Sequence, residues 1–142
     1  MERTLLIIKP DGVRKNVIGD ILNRVERSGL KILALRMLQL DRVTAGRFYA
    51  VHRERPFYHS LLDYMTSGPV IPVALQGENA VNRLRAIIGA TNPAEADDGT
   101  IRKLYGESIE ANTVHGSDSK ENGLIETSFF FGTAYLKLAS QE

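Results

Sequence analysis

The sequence predicts an α+β fold in which helices pack on one four-stranded antiparallel sheet. The 142 residues are 43% hydrophobic, which suits one compact domain over residues 1–142. Short apolar runs alternate with segments of helical periodicity, and glycine and proline separate them. No internal repeat or low-complexity linker interrupts this order, so the elements are expected to share one core.

The first half of the chain predicts two strands and three helices. Residues 4–8, TLLII, form an apolar run that ends in the predicted turn at residues 9–12, as a buried central strand would. Residues 18–25 have helical spacing, and Gly29 ends them. Residues 30–40 are apolar on both faces, and the flanking Gly29 and Asp41 favour a strand. Two further helices are predicted at residues 45–52 and 57–67, with Pro56 between them.

The second half of the chain predicts two more strands and two helices. Residues 70–76 form the third strand, in which Pro72 argues for an edge or irregular position. Residues 78–88 form an amphipathic helix that Gly89 closes, and a short helix is expected at residues 100–105. Residues 124–131, LIETSFFF, are predicted to be the last strand. This order of elements suggests a ferredoxin-like α/β sandwich.

Charge and composition argue against several classes of protein. There are 18 Lys and Arg against 17 Asp and Glu, so the net charge of +1 gives no overall attraction to nucleic acid or membrane. The chain has no cysteine for disulfides or thiolate metal sites. Its start lacks the features of a signal peptide, and no apolar run reaches the roughly eighteen residues of a membrane span. We therefore expect a soluble, cytoplasmic protein.

His115 stands among small polar residues in NTVHGSDS, residues 112–119. A lone histidine is most often a surface or structural residue. A metal site is the weakest interpretation, because His52, His59 and His115 lie in separate segments without ligand spacing. In a third interpretation the neutral imidazole attacks phosphorus and carries a phosphoryl group, with Gly116 leaving room for it. The local sequence leaves all three open.

Several polar residues elsewhere suit a bound phosphate. Each alone is typical of a solvated surface residue, but together they would supply the dispersed donors that phosphoryl transfer needs. They are Lys9, Arg85, Thr91, Arg102 and Asn112. The chain contains neither GxxxxGK[ST] nor GxGxxG, so a P-loop or Rossmann nucleotide site is excluded.

Six motifs occur in a fixed order between residues 3 and 131: TLLIIKPDGV, ERPFY, MTSGPV, GATNP, GTIR and NTVHGSDS. In this order they resemble the nucleoside diphosphate kinase family, and the NxxHGSD signature is highly specific. The resemblance implies an enzyme that moves the γ-phosphoryl group of a nucleoside triphosphate to a nucleoside diphosphate through phosphohistidine. It also implies Mg²⁺ as the cofactor, carried mainly by the nucleotide phosphates rather than by protein ligands.

The resemblance also implies roles for individual residues. His115 is the nucleophile, Glu126 orients its ring, Ser117 bonds near both, and Lys9 completes the catalytic set. The residues that match the family's phosphate and sugar contacts are Lys9, Tyr49, Arg85, Thr91, Arg102 and Asn112. Phe57 and Ile109 match the apolar clamp on the base. Because stacking is available to every base, broad base and sugar specificity is expected. Without the family, Glu126 would be interpreted as an outward strand residue.

The same resemblance implies a homo-oligomer built from dimers, a tetramer or a hexamer. Pro93, in the long loop at residues 89–112, is the position where a substitution is expected to weaken higher assembly. The segment RKLYGES departs from the family's pattern, so Lys103 and Tyr105 carry no family role.

Two other functions are considered beside the kinase. A nucleotide-sensing module without turnover would be expected to lose His115, Glu126 or Lys9, and all three are present. A hydrolase with His115 as general base would release phosphate without a diphosphate acceptor. Nucleic-acid binding is not expected, because there is no basic stripe with interleaved aromatic residues.

Overall fold

The computed structural model describes residues 1–140, which form one antiparallel sheet flanked by helices. Its elements are β1 (Glu2–Ile8), α1 (Pro10–Arg14), α2 (Ile18–Arg27), β2 (Lys31–Leu35), α3 (Arg42–Phe48), α4 (Tyr58–Met65), β3 (Ile71–Gly77), α5 (Ala80–Ile88), α6 (Ile101–Tyr105), β4 (Val114–Gly116), α7 (Lys120–Phe130) and α8 (Thr133–Ser140). Short 3₁₀ turns occur at Ala50–His52 and Pro93–Glu95.

The sheet has the strand order β2-β3-β1-β4, and every neighbouring pair is antiparallel. β1 is an inner strand covered on both faces, as its continuous apolar run predicts. Leu5 and Ile7 belong to one core cluster and Leu6 and Ile8 to the other, and none of the four is exposed to solvent. The predicted α+β fold class and the central position of this strand are confirmed.

Helices pack on both faces of the sheet. The cluster that contains Leu5 and Ile7 includes buried side chains of α3, α4 and α7. The opposite cluster includes buried side chains of α2, α5 and α6. The helical spacing of residues 18–25 and 78–88 predicts α2 and α5 correctly, since these helices bury one apolar stripe each. The α3 helix begins slightly earlier than expected, because the Asp41 side chain accepts a hydrogen bond from Thr44 N and caps it.

The prediction of a strand at residues 124–131 is wrong, because this segment belongs to α7. The helix begins after Ser119, whose hydroxyl accepts a hydrogen bond from Asn122 N at 3.0 Å. Its buried face consists of Gly123, Thr127 and Phe130, which follow helical spacing. Two of these three residues are small or polar, so they give no apolar stripe, and the run of phenylalanines at the end suggested a strand instead.

The fourth strand is β4, which lies in a region predicted to be irregular. It has only three residues and pairs with β1, where Ile7 is opposite His115 and Leu6 is opposite Gly116. A segment this short, with one apolar residue, has no strand periodicity to detect. The residues predicted to form a turn at 9–12 also differ, since α1 begins at Pro10.

Pro72 lies in an inner strand, so its predicted edge position is wrong. It pairs with Ile7 of β1, and its carbonyl oxygen accepts a hydrogen bond from Arg36 N at 3.3 Å. The nitrogen and the carbonyl of one residue point to the same neighbouring strand in an antiparallel sheet. The proline nitrogen therefore faces Arg36, and this pair makes one hydrogen bond where a regular pair would make two. Regular pairing of β2 ends at Leu35 for this reason, so the irregular position that the sequence also allowed is found.

Within residues 1–140, no helix is both long and apolar enough to span a bilayer.

We predict that two helical glycines respond oppositely to alanine. A Cβ at Gly123 would lie 2.1 Å from the carbonyl oxygen of Arg3, so Gly123→Ala would force α7 away from β1. The cost should be at least about 2 kcal/mol in the free energy of unfolding. Gly19 of α2 has no atom within 4 Å of such a Cβ, so Gly19→Ala should be neutral or stabilising by up to about 1 kcal/mol. Urea unfolding of both variants is the measurement, and equal effects would contradict the close approach of α7.

Candidate active site

His115 lies on the edge strand β4, and its side chain contacts Glu126 of α7. Its Nε2 is 2.7 Å from Glu126 Oε1, and both side chains are 20% exposed. Because an ionised carboxylate only accepts hydrogen bonds, Nε2 must carry the proton, and Nδ1 keeps its lone pair. Ser117 Oγ donates to the same carboxylate oxygen at 2.7 Å and accepts from Leu5 N at 3.0 Å. The ring orientation is thus fixed through the central strand.

A cleft of about 470 Å³ opens beside His115, a size that suits a small-molecule ligand. It is lined by Lys9, His52, Phe57, Leu61, Thr91, Arg102, Ile109, Glu110, Asn112 and His115. A second cavity of about 410 Å³ adjoins it, and Thr91 and Arg102 line both. Arg85 lines this second cavity rather than the first. Most of the predicted site residues therefore meet around one cleft, although they come from distant parts of the sequence.

Lys9 is the most deeply buried cation of the cleft, with 8% of its surface exposed. Its Nζ donates to Asn112 Oδ1 at 2.8 Å and to the Glu110 carbonyl oxygen at 3.4 Å. Burial, and to a smaller extent the nearby charge of Arg102, lower the pKa of Lys9 from 10.5 to about 8. Asn112 is fixed in turn, since its Nδ2 donates to the Thr91 carbonyl oxygen at 3.0 Å. These contacts fix the position of Lys9, and within residues 1–140 no carboxylate accepts a hydrogen bond from its Nζ.

Arg102, in the first turn of α6, is held by two backbone carbonyl groups. Its Nη1 donates to the oxygen of Gly89 at 3.0 Å and its Nη2 to that of Val114 at 2.9 Å. Its Nε is buried and has no hydrogen-bond partner in the described part of the chain. Burial, and to a smaller extent the charge of Arg85, lower the pKa of Arg102 to about 10. Lys9, Arg85 and Arg102 therefore lie close enough for one positive charge to lower the pKa of another, an arrangement that favours a bound anion.

The outer part of the cleft is apolar. Phe57 and Ile109 are 47% and 61% exposed, respectively, although both are large hydrophobic residues. They belong to two different segments, and Ser60 Oγ joins these segments by hydrogen bonds of 2.9 and 3.1 Å to the Glu110 carboxylate. An exposed apolar pair above a cation-lined floor fits a ligand with a planar end and an anionic end.

Tyr49 does not line the cleft. It is 7% exposed and packs in the core below, edge-to-face with Phe48 at 4.9 Å between ring centroids. Its hydroxyl group is buried without a hydrogen-bond partner within residues 1–140. Burial raises the pKa of Tyr49, and the charge of Glu126 raises it further, so the hydroxyl keeps its proton.

Three cleft residues escaped the sequence analysis, namely His52, Leu61 and Glu110. Leu61 lies four residues after Phe57, so helical spacing from that residue would have indicated it. Nothing local distinguishes His52 or Glu110, whose places depend on the fold.

The segment RKLYGES, which differs from the family's pattern, connects α6 to α1 and α2 by hydrogen bonds. Tyr105 donates its hydroxyl hydrogen to Asp20 Oδ2 at 2.5 Å, and Lys15 Nζ donates to the Tyr105 carbonyl oxygen at 2.5 Å. At the other end of α6, Arg24 donates to the Gly99 carbonyl oxygen at 3.1 Å. These bonds hold the short helix that presents Arg102.

No group of three His, Cys, Asp or Glu side chains suited to a metal ion occurs within residues 1–140. The cleft floor presents hydrogen-bond donors, which suit phosphate oxygens rather than a cation. A divalent ion bound here would have to take most of its ligands from a bound phosphate.

Comparisons with known proteins by sequence and by structure point to the same family. The family model for nucleoside diphosphate kinase matches residues 2–135. The nucleoside diphosphate kinase of Nitratiruptor sp. is 60% identical over 131 residues, which cover 92% of this chain and 96% of that protein. The Chlorobaculum tepidum protein of the same name is 57% identical over 131 residues, covering 92% and 94%.

Two solved structures extend this agreement to the backbone. The Aquifex aeolicus nucleoside diphosphate kinase has a TM-score of 0.92 and 43% identity, covering 94% of this chain and 97% of that one. A halophilic nucleoside diphosphate kinase from Halobacterium salinarum, solved in complex with CDP, has a TM-score of 0.90 and 38% identity, covering 94% and 90%.

We predict that Lys9 makes the stability of the protein rise with pH above about 8. The folded protein releases the Lys9 proton near pH 8, whereas the unfolded chain keeps it up to about 10.5, so the unfolded state binds more protons in this window. The free energy of unfolding should then rise by up to about 1.4 kcal/mol per pH unit relative to Lys9→Met.

Urea unfolding between pH 7 and 10 measures this difference. Lys103→Met removes an exposed lysine of α6 and is the matched control for the loss of one positive charge. Parallel pH curves for wild type and Lys9→Met would contradict the prediction.

Proposed function

Because the chain belongs to the nucleoside diphosphate kinase family of phosphotransferases, we propose that it works by a ping-pong mechanism through a phosphohistidine at His115. The observation that carries this proposal is the Glu126 carboxylate bound to one nitrogen of a histidine in a cation-lined cleft. That contact leaves the other ring nitrogen available as a nucleophile.

In the first half-reaction, Nδ1 of His115 attacks the γ-phosphorus of the donor triphosphate. A bond forms between Nδ1 and phosphorus, and the bond from phosphorus to the bridging oxygen breaks, so the nucleoside diphosphate leaves with the electron pair. Glu126 keeps the proton on Nε2 and stabilises the positive charge that develops on the ring. The terminal oxygen of an acceptor diphosphate then attacks the same phosphorus, and the electron pair returns to Nδ1.

The cations of the cleft supply the electrostatic part of catalysis. Lys9 and Arg102 would neutralise the oxygens of the transferred phosphoryl group, and Arg85 in the adjoining cavity would bind the leaving phosphates. Thr91 and Asn112 would add neutral donors. The mutual repulsion of these cations supports this assignment, because a bound phosphate group would relieve it.

Broad base and sugar specificity is part of the proposal. Phe57 and Ile109 offer stacking surfaces without base-edge hydrogen bonds, and stacking accepts every base. The Halobacterium salinarum relative was solved in complex with CDP, which supports a nucleoside diphosphate as ligand. Tyr49 stays a predicted nucleotide contact, although its buried hydroxyl would need the wall of the cleft to move.

Three further expectations belong to the proposal. Mg²⁺ would arrive with the nucleotide and neutralise phosphate charge when bound, and the protein contributes the surrounding donors. A homo-oligomer built from dimers is expected, as tetramer or hexamer. A cytoplasmic location is expected as well.

We predict ping-pong kinetics, seen as parallel lines in reciprocal plots of the initial rate. A covalent intermediate divides the reaction into two half-reactions at one nucleotide site, so reciprocal plots of initial rate against donor should not intersect at different acceptor concentrations. Labelled triphosphate alone should leave acid-labile, base-stable label on the wild-type protein and none on His115→Ala. Intersecting lines, or phosphate release without an acceptor, would favour direct transfer or hydrolysis instead.

We predict that Glu126→Gln slows phosphorylation of His115 without weakening nucleotide binding. Glutamine keeps the shape but replaces the carboxylate with a neutral amide, so the developing ring charge loses its partner. The single-turnover rate should fall by about tenfold or more, about 1.4 kcal/mol at the transition state.

Glu121→Gln, an exposed change on the same helix, is the matched control and should keep the wild-type rate. The Kd of a non-reacting nucleotide should stay within about twofold in both variants, since Glu126 contacts the histidine. An unchanged phosphorylation rate in Glu126→Gln would show that another group orients the ring.

A further inference from the structure

Asp11 is a fully buried carboxylic acid that the reaction above does not use. It has no exposed surface, follows Lys9 by two residues and does not line the cleft. Burying a carboxylate is costly unless hydrogen bonds compensate it, so its contacts should reveal what it does.

Both carboxylate oxygens of Asp11 accept hydrogen bonds from side chains distant in sequence. Oδ1 accepts from the Tyr64 hydroxyl, and Oδ2 accepts from Thr113 Oγ1 at 3.0 Å. The Tyr64 hydroxyl also accepts from Asp11 N at 3.1 Å. Burial raises the pKa of Tyr64, and the hydrogen bond to Asp11 raises it further, so this hydroxyl stays a donor. Asp11 therefore connects α4 to the residue two positions before His115.

Thr113 has a strained backbone. Its φ is 75°, in the left-handed region that β-branched residues avoid. Val114 N donates to the Asn112 carbonyl oxygen at 2.9 Å across it, so residues 112–114 form a γ-turn of the rare kind with a positive central φ. A strained conformation of this kind persists only where its surroundings hold it.

The segment that contains Lys9 and Asp11 surrounds this turn. Lys9 N donates to the Thr113 carbonyl oxygen at 2.8 Å. A Cβ at Gly12 would lie 2.8 Å from Ile8 Cγ2, 3.1 Å from Thr113 Cγ2 and 3.2 Å from the Thr113 carbonyl oxygen, so a larger residue would crowd the turn. Thr113 is held by its carbonyl group on one side and by its hydroxyl group on the other.

The turn determines where two site residues lie. Asn112 precedes Thr113 and holds Lys9 Nζ, and His115 follows in β4. A rotation about φ of Thr113 would move Asn112 relative to His115, and thus the phosphate-binding floor relative to the nucleophile. A displacement of about 1 Å between reacting groups can cost about a hundredfold in rate.

We propose that Asp11, anchored by Tyr64, is a positioning residue that holds Thr113 in its strained γ-turn and so aligns Asn112 with His115. The predicted effect on activity rests on the proposed function, whereas the effect on the turn does not. Asp11 acts through Thr113 and needs no contact with the nucleotide.

The test asks whether glycine at the turn makes Asp11 dispensable. Asp11→Ala removes both acceptors, and Asp11→Asn keeps the volume while it offers a neutral oxygen and an amide group to the two hydroxyls. Each should lower the single-turnover phosphorylation rate of His115, Asp11→Ala by about tenfold or more and Asp11→Asn by less. Glycine adopts a positive φ freely, so the same Asp11 substitutions should change the rate by less than about twofold in the Thr113→Gly background.

A second readout follows the turn without catalysis. Hydrogen exchange of the Val114 amide reports its bond to Asn112, and this exchange should become faster in Asp11→Asn than in wild type. Tyr64→Phe, which keeps Asp11 but removes its anchor, should change exchange and rate in the same direction. Asp63→Asn, a neighbouring exposed change on α4, is the matched control and should alter neither.

Three outcomes would overturn the proposal. The first is a rate and an exchange that stay at wild-type values in the Asp11 variants. The second is phosphorylation that is slowed equally in the Thr113 and Thr113→Gly backgrounds, as an electrostatic effect on Lys9 would produce. Unchanged Val114 exchange in a slow Asp11 variant would also reject the turn as the route. A wild-type protein that forms no phosphohistidine would instead reject the proposed function, and the exchange comparison would still decide the role of Asp11.

Discussion

The antiparallel pairing of β1 with β4 is the constraint on which the site depends. β1 is buried on both faces and cannot shift without exposing two cores, so its register is fixed. Because His115 pairs with Ile7, the proposed nucleophile lies a set distance from Lys9, which follows the last residue of β1. Ser117 repeats the connection, since it accepts from Leu5 N and donates to Glu126. The three residues of β4 are enough to position His115, because the register of the neighbouring strand β1 is fixed.

Close approach of backbones completes this arrangement. Gly123 lets α7 lie against the carbonyl group of Arg3, and this contact brings Glu126 within hydrogen-bond distance of His115. Gly12 gives the same freedom to the turn at Thr113. Both glycines are therefore necessary for the geometry of the site although neither contacts a ligand, and a larger residue at either position would separate catalytic groups rather than remove them.

The sequence predicted the elements that bury one regular apolar stripe and failed where burial was irregular. Residues 4–8 and the helices at 18–25 and 78–88 follow their periods, so β1, α2 and α5 were foreseen. The helix α7 was mistaken for a strand because its buried face begins with glycine and threonine. The association of Glu126 with His115 came from family resemblance alone, since the strand assignment gave no reason for the contact. His52 and Glu110 required the fold itself, because no local pattern marks the wall of a cleft built from four segments.

The two ends of the cleft differ in how firmly their side chains are held, and this difference supports the broad specificity proposed above. At the floor, Lys9 and Asn112 are buried and Arg102 is partly buried, and all three are held by hydrogen bonds to backbone or amide groups. A bound phosphate group would therefore require little reorganisation. At the mouth, Phe57 and Ile109 are exposed and belong to segments joined through an exposed serine hydroxyl. Selection at the mouth would require fixed polar groups that reject the wrong base, and an exposed apolar pair offers none. Under the proposed function, binding energy would be concentrated on the phosphates that all nucleotides share, where it would also lower the barrier to transfer.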